Sequence, residues 1–189
     1  MQFGLPTNVL MRIAAIVLAL TASLSLPAAA QGNAQTRQGF FISFGFGAGS
    51  LGCSDCEDDD EDRLNGVNFN LRAGGTLSQR LLIGGEINGW SKSQDGATLT
   101  LTNVGPVLLF YPSAQGGFFL KGGLGLASIE VELGALNFED EGVGLTIGLG
   151  FDARVGRNFA LTPYFDILSS SFDGASFNQV AFGLGFTWP

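Results

Sequence analysis

The stretch Val180-Ala181-Phe182-Gly183-Leu184-Gly185-Phe186-Thr187-Trp188 decides the fold. Large apolar residues occupy every second position, Val180, Phe182, Leu184, Phe186 and Trp188. Small or polar residues, Ala181, Gly183, Gly185 and Thr187, fill the alternate ones. A period of two is that of a β-strand with two unlike faces. The same alternation sets Val143, Leu145, Ile147, Leu149 and Phe151 against Gly144, Thr146, Gly148, Gly150 and Asp152. Near the N-terminus it sets Phe40, Ile42, Phe44 and Phe46 against Phe41, Ser43, Gly45 and Gly47. Val67, Phe69 and Leu71 oppose Asn68, Asn70 and Arg72 in the same way.

Eight such segments are predicted, at 39–49, 65–77, 80–91, 97–111, 117–130, 142–154, 159–169 and 177–188. Pro106 and Pro163 fall inside two of them, where each removes a ladder donor. Eight antiparallel strands can hide one apolar face inwards, in a soluble secreted binding barrel, or outwards, against lipid. The second face discriminates, because a sheet surface facing water should be rich in Lys, Arg, Asp and Glu. Here it is mainly Gly, Ser, Thr and Asn, which suits the crowded interior of a narrow barrel. Charged residues make up only 14% of the chain, against about 25% in an ordinary soluble protein. The expected fold is an all-β, eight-stranded, antiparallel, up-and-down transmembrane β-barrel over residues 39–189.

The N-terminus agrees. From Met11 the chain reads MRIAAIVLALTASLSLPAAAQ, with Arg12, an apolar run from Ile13 to about Leu24, then Pro27 and three alanines. This is the pattern of a signal peptide, residues 1–30, cut after Ala30, with Met11 as an alternative start. Its apolar run is shorter than the roughly 20 residues that span a bilayer as a helix. Residues 31–38 form a short stub before the barrel.

Connections and charges complete the pattern. The links LSQR, PSAQGG and VGRN are short, whereas the alternate ones, Ser50–Asn65, Ser91–Gly96, Glu132–Gly142 and Ser170–Ser176, read as longer loops. Short periplasmic turns and longer outer loops are usual in outer-membrane barrels. Fourteen of the 17 acidic residues fall in or beside those four longer connections, while Arg37, Arg80 and Arg157 lie at the other end. Aromatic girdles are expected at both interfaces: Phe40, Phe110, Tyr111, Phe118, Phe119, Phe159 and Trp188 near the periplasm, and Trp90, Phe172 and Phe177 outside.

With strands, turns and terminus in place, the chain resembles the small outer-membrane β-barrel family of Gram-negative bacteria, of the OmpA/OmpX-like eight-stranded type. The most specific element is the last strand, QVAFGLGFTW. In such proteins an aromatic-tipped terminal strand is read by the barrel-assembly machinery, a part that falls by position to Phe186 and Trp188. The resemblance implies outer-membrane localisation and contact with membrane lipid and lipopolysaccharide. Pro189 departs from the pattern, since the family usually ends on the aromatic itself.

Several chemistries are excluded or narrowed. The chain contains no histidine, so no Ser-His or Cys-His pair can form. Only Glu86, Lys121, Asp152 and Asp166 remain for a carboxylate or lysine mechanism, and no enzyme is expected. None of the glycine-rich stretches has phosphate-loop spacing, and so acidic an exported chain is not expected to bind nucleic acid. By parity Arg72, Glu86, Lys121, Asp152, Arg154 and Asp166 point into the lumen, with Arg72 nearly opposite Glu86 across the second hairpin. Charges in so narrow a space must pair or stay hydrated. The expected result is a structural polar plug; the alternative is a narrow pore for ions or small solutes.

The segment GCSDCEDDDEDR, Gly52 to Arg63, holds both cysteines and the densest acidic run. Two cysteines without histidine do not complete a four-ligand zinc site. In an oxidising compartment a Cys53–Cys56 disulfide is expected to pinch the loop. Asp58, Asp60 and Asp62 lack the glycine of an EF-hand loop, so Ca²⁺ is expected at most weakly, and no firm metal or cofactor is assigned. The expected function is an outer-membrane protein with a structural or surface-interaction role, its acidic outer loops facing a partner outside the cell.

Overall fold

The computed structural model describes residues 37–54, 63–134, 136–156 and 158–188. The expected signal peptide, residues 31–36 of the stub, Arg157 and Pro189 lie outside them. Nine strand segments follow in order: β1 (Phe40–Cys53), β2 (Leu64–Ser78), β3 (Leu81–Gln94), β4 (Ala97–Phe110), β5 (Phe118–Leu133), β6 (Leu136–Phe151), β7 (Ala153–Gly156), β8 (Phe159–Phe172) and β9 (Ala175–Trp188). Each pairs antiparallel with its sequence neighbour, apart from β6 and β7, which are two pieces of one strand broken at Asp152. The result is eight staves. β1 pairs with β9 from Ile42↔Trp188 to Cys53↔Phe177, and β6 with β8 from Val143↔Ser171 to Gly150↔Tyr164, which closes the barrel.

Both prolines leave marks without changing the register. On β8, Pro163 stands opposite Phe151, where the ladder to β6 lapses before resuming at Ala153↔Leu161. At Pro106 the β4–β5 ladder skips from Val104↔Leu126 to Val107↔Gly123. A missing N–H interrupts pairing locally, and the bonds on either side hold the phase.

The apolar stripes face outwards. Phe46, Leu124, Leu126, Val143, Ile147 and Phe182 are all exposed, from 56% to 74%. Their alternates, Asn68, Asn70, Arg72, Lys121, Asp166 and Thr187, are buried. This inversion suits a lipid surround and rules out the soluble alternative, which requires the apolar face inside.

The outer connections differ from expectation. Strands continue through most of what reads as loop. β3 and β4 meet at Asp95-Gly96 and β8 and β9 at Asp173-Gly174, while β5 runs to Leu133 and β6 begins at Leu136. Glu139, Asp140 and Glu141, expected in a loop, belong to β6 and pair with β5. Beyond the apolar belt a strand no longer needs alternation, so its continuation is invisible to a hydrophobic pattern. Asp95 and Gly96 both have positive φ, +53° and +81°, as a tight two-residue hairpin turn requires. The β1–β2 connection is longer, and its residues 55–62 lie outside the described ones.

Candidate functional site: a filled lumen

The lumen holds three layers of side chains. The middle layer centres on Lys121, whose Nζ lies 2.7 Å from Glu86 Oε1 and 2.7 Å from Asp166 Oδ2. All three are buried. Gly148 is the register partner of both Lys121 and Asp166. With no side chain there, the pair meets over bare backbone; a Cβ would collide with Asp166 Oδ1. Around this triad Asn68 Nδ2 donates to Asn88 Oδ1 at 2.9 Å, and Tyr164 OH donates to Asn68 Oδ1 at 3.0 Å. Taking ions out of water is costly unless each finds a partner, and here one ammonium holds two carboxylates.

Arg72 is the direct register partner of Glu86, as the hairpin reading expected. The two do not form an ion pair, because Glu86 turns to Lys121. The Arg72 guanidinium instead donates from Nη2 to Ser43 Oγ at 3.3 Å and lies 5.5 Å from the Phe119 ring centroid.

Towards the rim away from the termini, Trp90 packs with Leu51, Leu101, Ala127 and Phe172. Trp90 is fully buried, and its Nε1 donates to Gly49 O at 3.0 Å. Towards the termini, Phe41, Leu82, Val107, Leu109, Tyr111 and Phe119 form a second apolar layer. There Asp152 accepts from Tyr111 OH and from Thr162 Oγ1, each at 2.8 Å. A hydroxyl series continues from Thr162 to Thr187 and Ser43, with 2.9 Å at each step. Arg154 lines the same end and is half-buried.

These two layers correct the girdle assignment. Trp90, Phe172, Tyr111 and Phe119 are lumen residues, whereas Phe40, Phe110, Phe118 and Trp188 do face outwards. Parity carried the signal: Trp90 is in phase with Glu86 and Asn88, and Phe119 with Lys121. Arg37 gave no signal. Its guanidinium lies 3.4 Å from the Tyr111 ring centroid and donates to the carbonyls of Gln79, Ala114 and Gly116. It thereby caps the lumen at the terminus end.

At the β9–β1 seam, Phe44 lies 5.1 Å from Phe186 and 5.6 Å from Trp188, and Phe159 lies 5.1 Å from Trp188. On the far rim Arg63 donates to Ser50 O at 2.6 Å and Asn178 O at 2.9 Å, holding β2 to the β1–β9 seam. Cys53 ends β1 and is engaged in a disulfide. Its expected partner Cys56, with Asp58, Asp60 and Asp62, lies outside the described residues. Among the described residues no three His, Cys, Asp or Glu side chains gather as a metal site.

A closed eight-stave barrel, apolar outside and filled with polar and aromatic side chains, is matched over residues 16–188 by the family model for the outer membrane protein beta-barrel domain. The chain belongs to that family. As an outer-membrane barrel of Gram-negative type, it has its exposed belt in contact with lipid. Solved structures carry the same fold. Neisserial surface protein A (NspA) superposes with a TM-score of 0.64 at 14% identity, over 82% of this chain and 99% of its own. Ail, the attachment invasion locus protein of Yersinia pestis, superposes with 0.60 at 15%, over 81% of this chain and 100% of its own. That Ail structure is a complex with the heparin analogue sucrose octasulfate. A comparison with curated proteins finds no match.

Proposed function

We propose that this outer-membrane barrel is a closed structural element that works through its outer surface. The observation carrying this reading is the obstructed lumen: the Trp90 layer, the Lys121 triad and the Arg37–Tyr111 cap lie in series. A solute would have to displace all three. The alternative, a narrow pore, needs a continuous wetted path, and Trp90 and Tyr111 stand across it. A catalytic role has no support in the side chains present, since the chain lacks histidine and the buried carboxylates Glu86 and Asp166 are both engaged by Lys121.

The rim opposite the termini carries Asp95, Glu132, Glu139, Asp140, Glu141 and Asp173, all exposed, and in sequence the acidic run of residues 55–62 connects β1 to β2. We read this rim as extracellular and as the contact surface, with divalent cations such as Ca²⁺ bridging acidic residues, including Asp58, Asp60 and Asp62, to lipopolysaccharide phosphates. Phe186 and Trp188 serve as the signal to the barrel-assembly machinery.

The test is conductance of the refolded protein in planar bilayers, with calorimetric Ca²⁺ titration alongside. The expected record is near-silent, with Ca²⁺ binding above a monovalent-salt control. Large, long-lived open channels would overturn the closed-barrel reading; absence of Ca²⁺-specific heat would remove the bridging role.

A further inference from the structure

The closed wall ends before β6 does. β6 pairs with β5 along its whole length, from Leu133↔Leu136 to Phe118↔Phe151. Its other side pairs with β8 only from Val143↔Ser171 to Gly150↔Tyr164. Residues 136–142 therefore form a free strand edge, with no strand against it among the described residues. A row of unpaired backbone groups is a template for another extended chain. At Glu141 the backbone N–H donates to the adjacent Asp140 Oδ1 at 2.9 Å, a side chain standing where a strand would.

The protruding hairpin has two unlike faces. On one, Val131 and Leu133 stand opposite Phe138 and Leu136. Leu133, Leu136 and Phe138 are 48%, 61% and 59% exposed. On the other face, Glu130 and Glu132 stand opposite Glu139 and Asn137. Glu130 and Glu139 are thus direct cross-strand neighbours of like charge, which destabilises a sheet. Asn137 Nδ2 donates to Glu130 Oε1 at 2.8 Å, but among the described residues no Lys or Arg pairs with these carboxylates.

We infer that residues 136–142 accept an added β-strand from a partner protein whose extended segment alternates basic and apolar residues. Backbone pairing along the edge supplies affinity, and alternate side chains supply specificity. Lys or Arg of the partner lies beside Glu139 and Glu141, and its apolar residues lie beside Leu136 and Phe138. A second copy of this chain does not fit, since it brings the same acids against Glu139, Asp140 and Glu141. Segment 55–62, with seven acidic residues of its own, is unsuited for the same reason. That the partner lies outside the cell rests on the extracellular reading of this rim; the edge and its charge do not.

The test uses the refolded full-length barrel in detergent micelles and a fluorescein-labelled octapeptide of alternating lysine and valine. Saturable binding that weakens as salt rises is expected, with hydrogen-exchange protection centred on residues 136–142. The fully N-methylated peptide keeps the charges but loses its backbone donors, and should bind about tenfold more weakly or worse. Equal binding of the two peptides, or no binding of either, overturns the strand site. Glu139→Lys combined with Glu141→Lys, checked for folding by heat-modifiable migration, should lose the lysine peptide and gain an alternating glutamate–valine one. An unchanged preference overturns the assignment, and self-association of the barrel through this edge overturns the choice of partner. Binding in micelles but not to intact cells would overturn the extracellular reading of the rim while the edge site stands.

Discussion

Lys121 and Asp166 form their 2.7 Å ion pair across the bare backbone of Gly148, the register partner of both. The contact joins β5 to β8 through the lumen over a stave that contributes no side chain. Adding one methyl group there should break it. Gly148→Ala is expected to destabilise the refolded barrel by about 1–3 kcal/mol, the usual range for overpacking. Urea unfolding in detergent measures this, and an unchanged midpoint would mean that the pair crosses elsewhere.

Lys121→Met should cost more, because it leaves Glu86 and Asp166 buried side by side without a cation. Removing one member of a buried ionic cluster typically costs about 3–5 kcal/mol. Adding Glu86→Gln and Asp166→Asn to that variant should recover most of the loss, since no uncompensated charge then remains. A triple variant no more stable than Lys121→Met would show that hydrogen bonding to Nζ, rather than charge balance, holds the centre.

The two apolar layers act in series, so opening one should not open the lumen. Trp90→Ala removes the fully buried indole, and a loss of about 3–5 kcal/mol is expected from the cavity left behind. Bilayer recordings of this variant should stay silent while the Arg37–Tyr111 cap remains. Trp90→Ala combined with Arg37→Ala should stay silent too, because the Lys121 triad still fills the middle, and steady conductance is expected only when Lys121 is truncated as well. Current through either single variant would mean that one layer alone gates the barrel.

Much of this fold was legible because lipid and a narrow lumen impose opposite chemistry on alternate residues. That is why Arg72, Glu86, Lys121, Asp152 and Asp166 could be placed inside from parity alone. Which of them pair could not be read, since Lys121 reaches Glu86 across two strand boundaries and Asp166 across two more, and linear spacing does not encode barrel curvature. Trp90 and Tyr111 were misplaced because an aromatic ring suits an interface girdle and a lumen layer equally well. The far ends of β5 and β6 were missed because strands above the membrane can carry Glu139, Asp140 and Glu141 without any apolar alternation.

Turn chemistry at the rim gives a local test. Asp95 and Gly96 both hold left-handed backbone, which glycine adopts freely and asparagine or aspartate tolerates. Gly96→Ala should therefore cost about 1–2 kcal/mol, while Asp95→Asn should be close to neutral. Thermal unfolding of the two variants side by side separates backbone strain from loss of the carboxylate charge, since the first removes no charge and the second removes one.

The terminal aromatics separate assembly from stability. Phe186 and Trp188 sit on the outer wall, packed against Phe44 and Phe159 at the seam where β9 meets β1. Trp188 is 39% exposed, so its truncation opens no lumen cavity. Aromatic pairs of this kind contribute about 0.5–1.5 kcal/mol beyond their area, so Trp188→Ala should lower the stability of detergent-refolded protein only modestly. If the cellular assembly machinery reads this strand end, the same variant should accumulate in the outer membrane several-fold less than wild type, with unassembled chain degraded in the periplasm. Equal membrane levels would confine Trp188 to seam packing. A collapse of stability in the refolded protein would instead make the cellular loss a folding defect, and the two measurements together decide between them.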